Sequence, residues 1–127
     1  MGLRIYPDMF PLNVQVGQVT VHAARGVAQL AGLTQPDFGA PETTIAGLKE
    51  RVGKTIEFVK SASASQIDGT EEKEIVLKFG PREMKFTGQT FLLGFTLPNF
   101  FFHYTTAYDI LRSLGVEIGK RDFMGAA

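Results

Sequence analysis

The sequence predicts a mainly α-helical bundle of three long helices with one small β-hairpin, folded as a single domain over residues 1–127. Three observations predict it. Apolar residues recur at spacings of three and four over three long stretches. The period changes once, where two short runs of β-branched and aromatic residues flank a Gly-Pro pair. The chain of 127 residues is 44% apolar, enough for one real core and too short for two.

The first helix is expected to begin near Asp8, an acidic N-cap, with Pro11 tolerated in the first turn. Leu12, Val16, Val19, Ala23, Val27 and Leu30 form its stripe, and Gly32 is placed to end it. The segment from Leu33 to Pro41, with Pro36 and Gly39, reads as a loop. A second helix starts at Thr43 or Thr44 and runs to about Ser61, with Ile45, Leu48, Val52, Ile56 and Val59 as its apolar stripe. Gly47 and Gly53 weaken it by roughly 1 kcal/mol each against alanine. Residues Ser61 to Ser65 read as a short linker or a frayed helix end. Glu74 to Phe79 and Glu83 to Thr87 form the hairpin around Gly80-Pro81-Arg82. Such a hairpin must lie against the helices to be stable. The third helix runs from about Gly88 to Leu114, capped by Gly115 and kinked or split at Pro98. Leu92, Phe95, Asn99, Phe102, Thr106, Ile110 and Leu114 follow one broad face, with His103 on its flank. The tail from Val116 is expected to fold back as extended chain, anchored by Phe123.

Composition excludes several classes. Basic and acidic residues number 13 each, so no basic surplus points to nucleic acid. There is no cysteine, which removes disulfides, thiolate metal sites and a cysteine nucleophile. The apolar window from Phe91 to Phe102 is too short to span a bilayer and is broken by Thr96, Pro98 and Asn99. The N-terminus lacks a charged-then-apolar signal pattern. A soluble, cytoplasmic protein without membrane or nucleic-acid partners is the expectation. H-E-x-x-H and G-x-S-x-G are absent, and Gly119-Lys120 lacks the rest of a phosphate loop.

The candidate site lies in the segment Leu97 to Tyr108. Asn99, His103 and Thr106 share one helical face inside a greasy stretch, so this polar row needs a partner, a ligand or water. Asn99 also suits an N-cap after Pro98, and His103 a core histidine bonded to a carbonyl or to Asn99. Tyr104 and Tyr108 suit packing with a polar tip, Tyr108 with a proton-donor role as the alternative. His22 shares its helix with Gln15, Gln18, Arg25 and Gln29, which reads as a solvated polar face.

Four pieces carry a resemblance. They are Pro7-Asp8-Met9-Phe10-Pro11-Leu12 with His22 downstream, and the hairpin leading into Phe86-Thr87-Gly88. The third is Pro98-Asn99-Phe100-Phe101-Phe102-His103 through Ala107-Tyr108 to Ile110-Leu111-Arg112, and the last is Gly119-Lys120-Arg121-Asp122-Phe123. Together they resemble a domain-of-unknown-function branch of the DinB-like superfamily, over nearly the whole chain. The resemblance implies a four-helix bundle. It also implies, for many members, a divalent metal on three histidines: one from an earlier helix and an H-x-x-x-H pair on the last long helix. Some members are thiol-dependent transferases or hydrolases.

Carried onto this chain, the resemblance makes His22, Asn99 and His103 the metal-type set, with asparagine where the first histidine of the later pair belongs. A neutral amide oxygen is a poor zinc ligand beside imidazole. Zinc or nickel is therefore expected to bind weakly or not at all, and a metal-free hydrogen-bonded pocket for a small molecule, lined by His22, Asn99, His103, Thr106 and Tyr108, is the companion expectation. The resemblance also implies a helix before Pro7, where only Met1 to Tyr6 stand. Either a piece of the bundle is absent from this chain or a second subunit covers the gap. A two-fold homodimer is the expectation. A metal-dependent hydrolase or thiol-dependent transferase, and a non-catalytic dimeric interaction protein, are the alternative functions.

Overall fold

Helix α1, Leu12–Ala31, forms the middle of the molecule, and no residue along it is fully exposed. Helix α2, Ile45–Ser61, packs on one side of it, and α5, Leu97–Ser113, on the other. Between them in sequence come a short helix α3, Ala64–Ile67, strands β1, Glu74–Phe79, and β2, Arg82–Thr87, and helix α4, Gly88–Phe91. A π-helical turn, Leu92–Thr96, joins α4 to α5, and a last short helix α6, Lys120–Phe123, follows. This computed structural model describes residues 1–125.

The chain enters α1 later than Asp8 suggests. Pro11 is the N-cap residue, in extended backbone. Two prolines explain the delay, because each disfavours helical backbone in the residue before it, here Tyr6 and Phe10. Residues 5–9 form a turn instead, held by Met9 N–H on the Tyr6 carbonyl and by the Arg4 guanidinium on the Pro7 and Met9 carbonyls. At the other end Gly32 takes φ 70° and its N–H closes on Ala28 O. Thr44 caps α2, accepting the Gly47 N–H at 3.0 Å. Ser63 starts α3 where a linker was expected, its N–H bonded to Gln66 Oε1 at 2.8 Å.

The hairpin forms as expected, but Arg82 belongs to the second strand and not to the turn: it pairs with Phe79 across a two-residue turn at Gly80-Pro81. Gly80 has φ 62°, a conformation that favours glycine at the first central position of the turn. Ile75 and Leu77 of β1 pack with Leu30 and Phe91 as one core cluster, so the hairpin does lie on the helices. A second cluster joins Leu12 to Ala107 and Ile110.

Two expected faces are rotated. The buried residues of α2 are Leu48, Arg51 and Thr55, while Ile45 and Ile56 stand about half exposed. In the last long helix the π turn inserts one residue. The inner face after it carries His103, Thr106, Ala107 and Ile110, and Phe102 is left 56% exposed. The helix is thus divided just before Pro98, as that proline requires.

The tail corrects one expectation and supports another. It is partly helical, because Asp122 Oδ2 accepts the Gly119 N–H at 2.8 Å and starts a turn. Phe123 is nevertheless the anchor: its ring meets Tyr104 at 4.3 Å, and its carbonyl accepts the Tyr104 hydroxyl at 2.8 Å. Residues 126–127 of this tail lie outside the described residues.

One side of α1 remains open. Val16, Val19, Ala23 and Val27, the centre of its apolar stripe, are only half-buried. They floor two clefts of about 300 and 280 Å³, walled by α2 and α5. No helix among the described residues is long and apolar enough to cross a membrane.

Candidate functional site

The packing of α1 against α5 brings both histidines together. The His22 and His103 rings lie nearly parallel, 12° apart, with centroids 5.5 Å from one another. Phe10 continues the stack beyond His103 at 6.3 Å, and Phe95 closes it edge-on against His22 at 5.8 Å. Gly26, one turn after His22, permits the approach. A Cβ there would stand 2.7 Å from Thr96 Cγ2, so the π turn can lie directly on α1.

Gln15 sets the chemistry of this pair. It is 1% exposed, against the solvated role its helix position suggested. Its Nε2 donates to Phe10 O at 3.2 Å, which turns Oε1 toward His103 Nδ1 at 2.7 Å. An amide oxygen only accepts, so His103 Nδ1 carries the proton and Nε2 presents a lone pair. The Phe10 carbonyl at the entry to α1 thereby fixes, through Gln15, the tautomer of a residue 88 positions beyond Gln15.

Both imidazoles are neutral at ordinary pH. Burial, then the charge of Arg25, then His103, push His22 down from 6.5 to about 4. Burial lowers His103 as well. Among the described residues the His22 side chain makes no hydrogen bond, yet neither of its nitrogens is among the polar atoms sealed from solvent without a partner. Its ring therefore still reaches water.

The other expected site residues have different positions. Asn99 does not cap a helix. It lies inside α5, one turn before His103; its Nδ2 donates to Phe95 O at 2.8 Å, and its Oδ1 has no partner among the described residues. Thr106 is buried, its hydroxyl engaged by the Phe102 carbonyl at 2.7 Å. Tyr108 lines the 300 Å³ apolar cleft with Val16, Val52 and Phe123, a separate surface. The principal clefts of the described residues are lined by side chains other than the two histidines. Asp8 is exposed on the entry turn.

Gln15 was missed as a site residue. It stands seven residues before His22, hence on the same face two turns away, and that spacing was the available signal.

The donor set suits a divalent ion only in part. An ion with metal–nitrogen distances of about 2.0–2.1 Å in tetrahedral geometry holds two imidazole centroids roughly 5 Å apart. The observed 5.5 Å is close to that, but the lone pairs lie in the ring planes, and two stacked planes 12° apart do not converge on one ion; His22, which no side-chain hydrogen bond among the described residues holds, would have to turn. The carbonyl-held Nδ1–H is the usual outer support of a metal-binding histidine. No group of three or more His, Cys, Asp or Glu able to hold a metal exists among the described residues.

Comparison with known proteins adds the following. The family model described as a domain of unknown function, DUF1993, matches residues 1–124. The crystal structure of a DinB family member from Shewanella denitrificans superposes with a TM-score of 0.88 at 36% identity, covering 98% of this chain and 70% of that one. No curated protein matches the chain.

Proposed function

Because the chain belongs to the DUF1993 family, domains of unknown function with a DinB-like helical fold, we propose that the His22–His103 pair is its functional centre, a degenerate site for a divalent cation of the zinc or nickel class. The observation that carries this reading is the Gln15-held tautomer of His103 beside a neutral His22. His22 and His103 are the donors, and Asn99 Oδ1 supplies a weaker third. When bound, such an ion acts as a Lewis acid toward an oxygen or sulfur ligand. The chain's own residues do the rest. Gln15 orients His103, Phe10 and Phe95 limit water around the rings, and burial keeps both imidazoles unprotonated. Two imidazoles and an amide bring no negative charge, so affinity is lower than for a three-histidine site.

Nickel and zinc titrations followed by thermal unfolding test this. A cation that binds only the folded state raises the midpoint, by about 3 °C at saturation. The rise disappears in His22→Ala and in His103→Ala. No rise in the wild type, or an equal rise in both variants, removes the proposal.

We further infer that two copies associate across the open side of α1. The support is the half-buried valine stripe together with Leu97 and Phe101 on the same rim, 37% and 48% exposed. A groove that runs along a 20-residue helix is about 30 Å long, enough to seat a helix of a second copy. Sedimentation at micromolar concentration is expected to give a dimer, and Phe101→Glu to give a monomer of unchanged helicity. A compact wild-type monomer overturns it.

A further inference from the structure

Arg51 has a role that helix packing does not account for. It is 6% exposed, on the face of α2 that meets α1. Its Nε donates to Thr20 Oγ1 at 2.8 Å. The Phe38 ring covers one side of the guanidinium, its centroid 5.0 Å from Cζ. Gly17 is a further neighbour, where even a Cβ would stand 3.8 Å from Cζ and Nη2. Nη1 is sealed from solvent and has no acceptor, alone in this among the side-chain polar atoms of the described residues. No carboxylate of the described residues comes within 4.0 Å. A cation held this deep without a counter-charge is costly, and Nη2, which is not sealed in this way, is the atom a carboxylate can reach.

Arg51 is also the shared wall of two clefts. The larger holds about 530 Å³ and is lined further by Asp37, Phe38, Glu42, Glu50, Lys54 and Phe58. Lys54 is already paired with Glu50 at 2.9 Å. That leaves a buried positive charge in the wall and the carboxylates of Asp37 and Glu42 nearer solvent. A polyanion is repelled by those acids, and a simple cation leaves Arg51 unsatisfied. A molecule with a carboxylate at one end and an ammonium at the other answers both, with Phe38 and Phe58 beside its apolar middle.

We propose that this cleft binds a small amino-acid-like zwitterion, its carboxylate on Arg51 Nη2 and its ammonium toward Asp37 and Glu42. The site is separate from the histidine pair and does not depend on the reading of that pair.

6-Aminohexanoate is the probe, with hexanoate and hexylammonium as single-charge controls at matched ionic strength. Two readouts apply: the thermal midpoint, and the ¹⁵N–¹H signal of Arg51 Nε in the wild type. The zwitterion is expected to shift both saturably and to bind at least about tenfold more tightly than either control. Arg51→Met is expected to abolish the midpoint shift, and the Asp37→Asn, Glu42→Gln double variant to remove the preference over hexanoate. Should Arg51→Met fail to fold, the wild-type Nε signal decides alone. An Nε signal unmoved by the zwitterion overturns the proposal, and so does equal binding of hexanoate or an undiminished response in folded Arg51→Met.

Discussion

Replacing Gly88 by alanine is expected to destabilise the protein by about 3 kcal/mol or more, lowering the thermal midpoint by roughly 10 °C. Gly88 is the first residue of α4, directly after the hairpin. A Cβ there would overlap the Thr70 carbonyl oxygen, stand 2.9 Å from the Thr70 carbonyl carbon, and touch Leu30 Cδ2 at 3.4 Å. Thr70 cannot simply retreat. Its carbonyl accepts the Lys73 N–H at 3.1 Å, and Glu71 O accepts the Gln89 N–H at 3.0 Å. Lys73 Nζ in turn donates to Gln29 O at 2.7 Å, tying the turn to the C-terminal carbonyls of α1. The clash would push α4, and Phe91 with it, away from Leu30, Ile75 and Leu77, the core cluster that seats the hairpin. Gly53→Ala is the control. Nothing lies within 4 Å of its Cβ position on α2, so it is expected to be neutral or to stabilise by up to about 1 kcal/mol. Chemical denaturation of both variants checks the pair. A Gly88→Ala protein as stable as the wild type would show that the α4 junction has slack the packing does not suggest.

The features legible in the sequence were those governed by local chemistry. Gly32 ends α1, Thr44 starts α2 and the Gly-Pro pair turns the hairpin, because caps and turns are decided within a few residues. Periodicity tells which residues share a face, but not which face meets a neighbour. On α2 the apolar stripe was read as the buried side, whereas Arg51 and Thr55 go inward and Val52 and Val59 border the open clefts. On α5 the extra residue of the π turn moved the inner face to His103 and Ala107. Side-chain partners distant in sequence were beyond reach in another way. The hydrogen bond of Gln15 to His103 depends on the entry turn, on α1 and on α5 all at once. Polar residues on α1 looked solvated because a helix enclosed on both sides buries polar positions too, given partners. The meeting of His22 with His103 is the part of the site that chain order and resemblance did anticipate.

Acid is expected to weaken the fold through that same pair. His22 titrates near 6.5 when unfolded and at about 4 when folded. Between those values the unfolded chain binds a proton that the folded chain refuses, so stability falls as pH falls. The contribution is complete above about pH 6.5, declines down to about pH 4, and changes no further below it, where both states are protonated. The loss attributable to His22 is about 2 kcal/mol, reduced from the full shift because its ring still reaches water. His103, lowered in the same direction by burial, adds to it. Its Gln15 bond does not oppose this, since Nδ1 already donates and a second proton on Nε2 gains no partner inside the stack. The measurement is urea unfolding at several pH values from about 7.5 to about 4.5, with chelator present so that displaced metal makes no contribution. In His22→Gln the slope over this interval is expected to fall by more than half, because only His103 remains to titrate. A wild-type stability that is flat across the interval, or a slope unchanged in His22→Gln, would mean that the imidazole is not held neutral by its surroundings. The basis for treating it as a lone-pair donor at lower pH would then be lost.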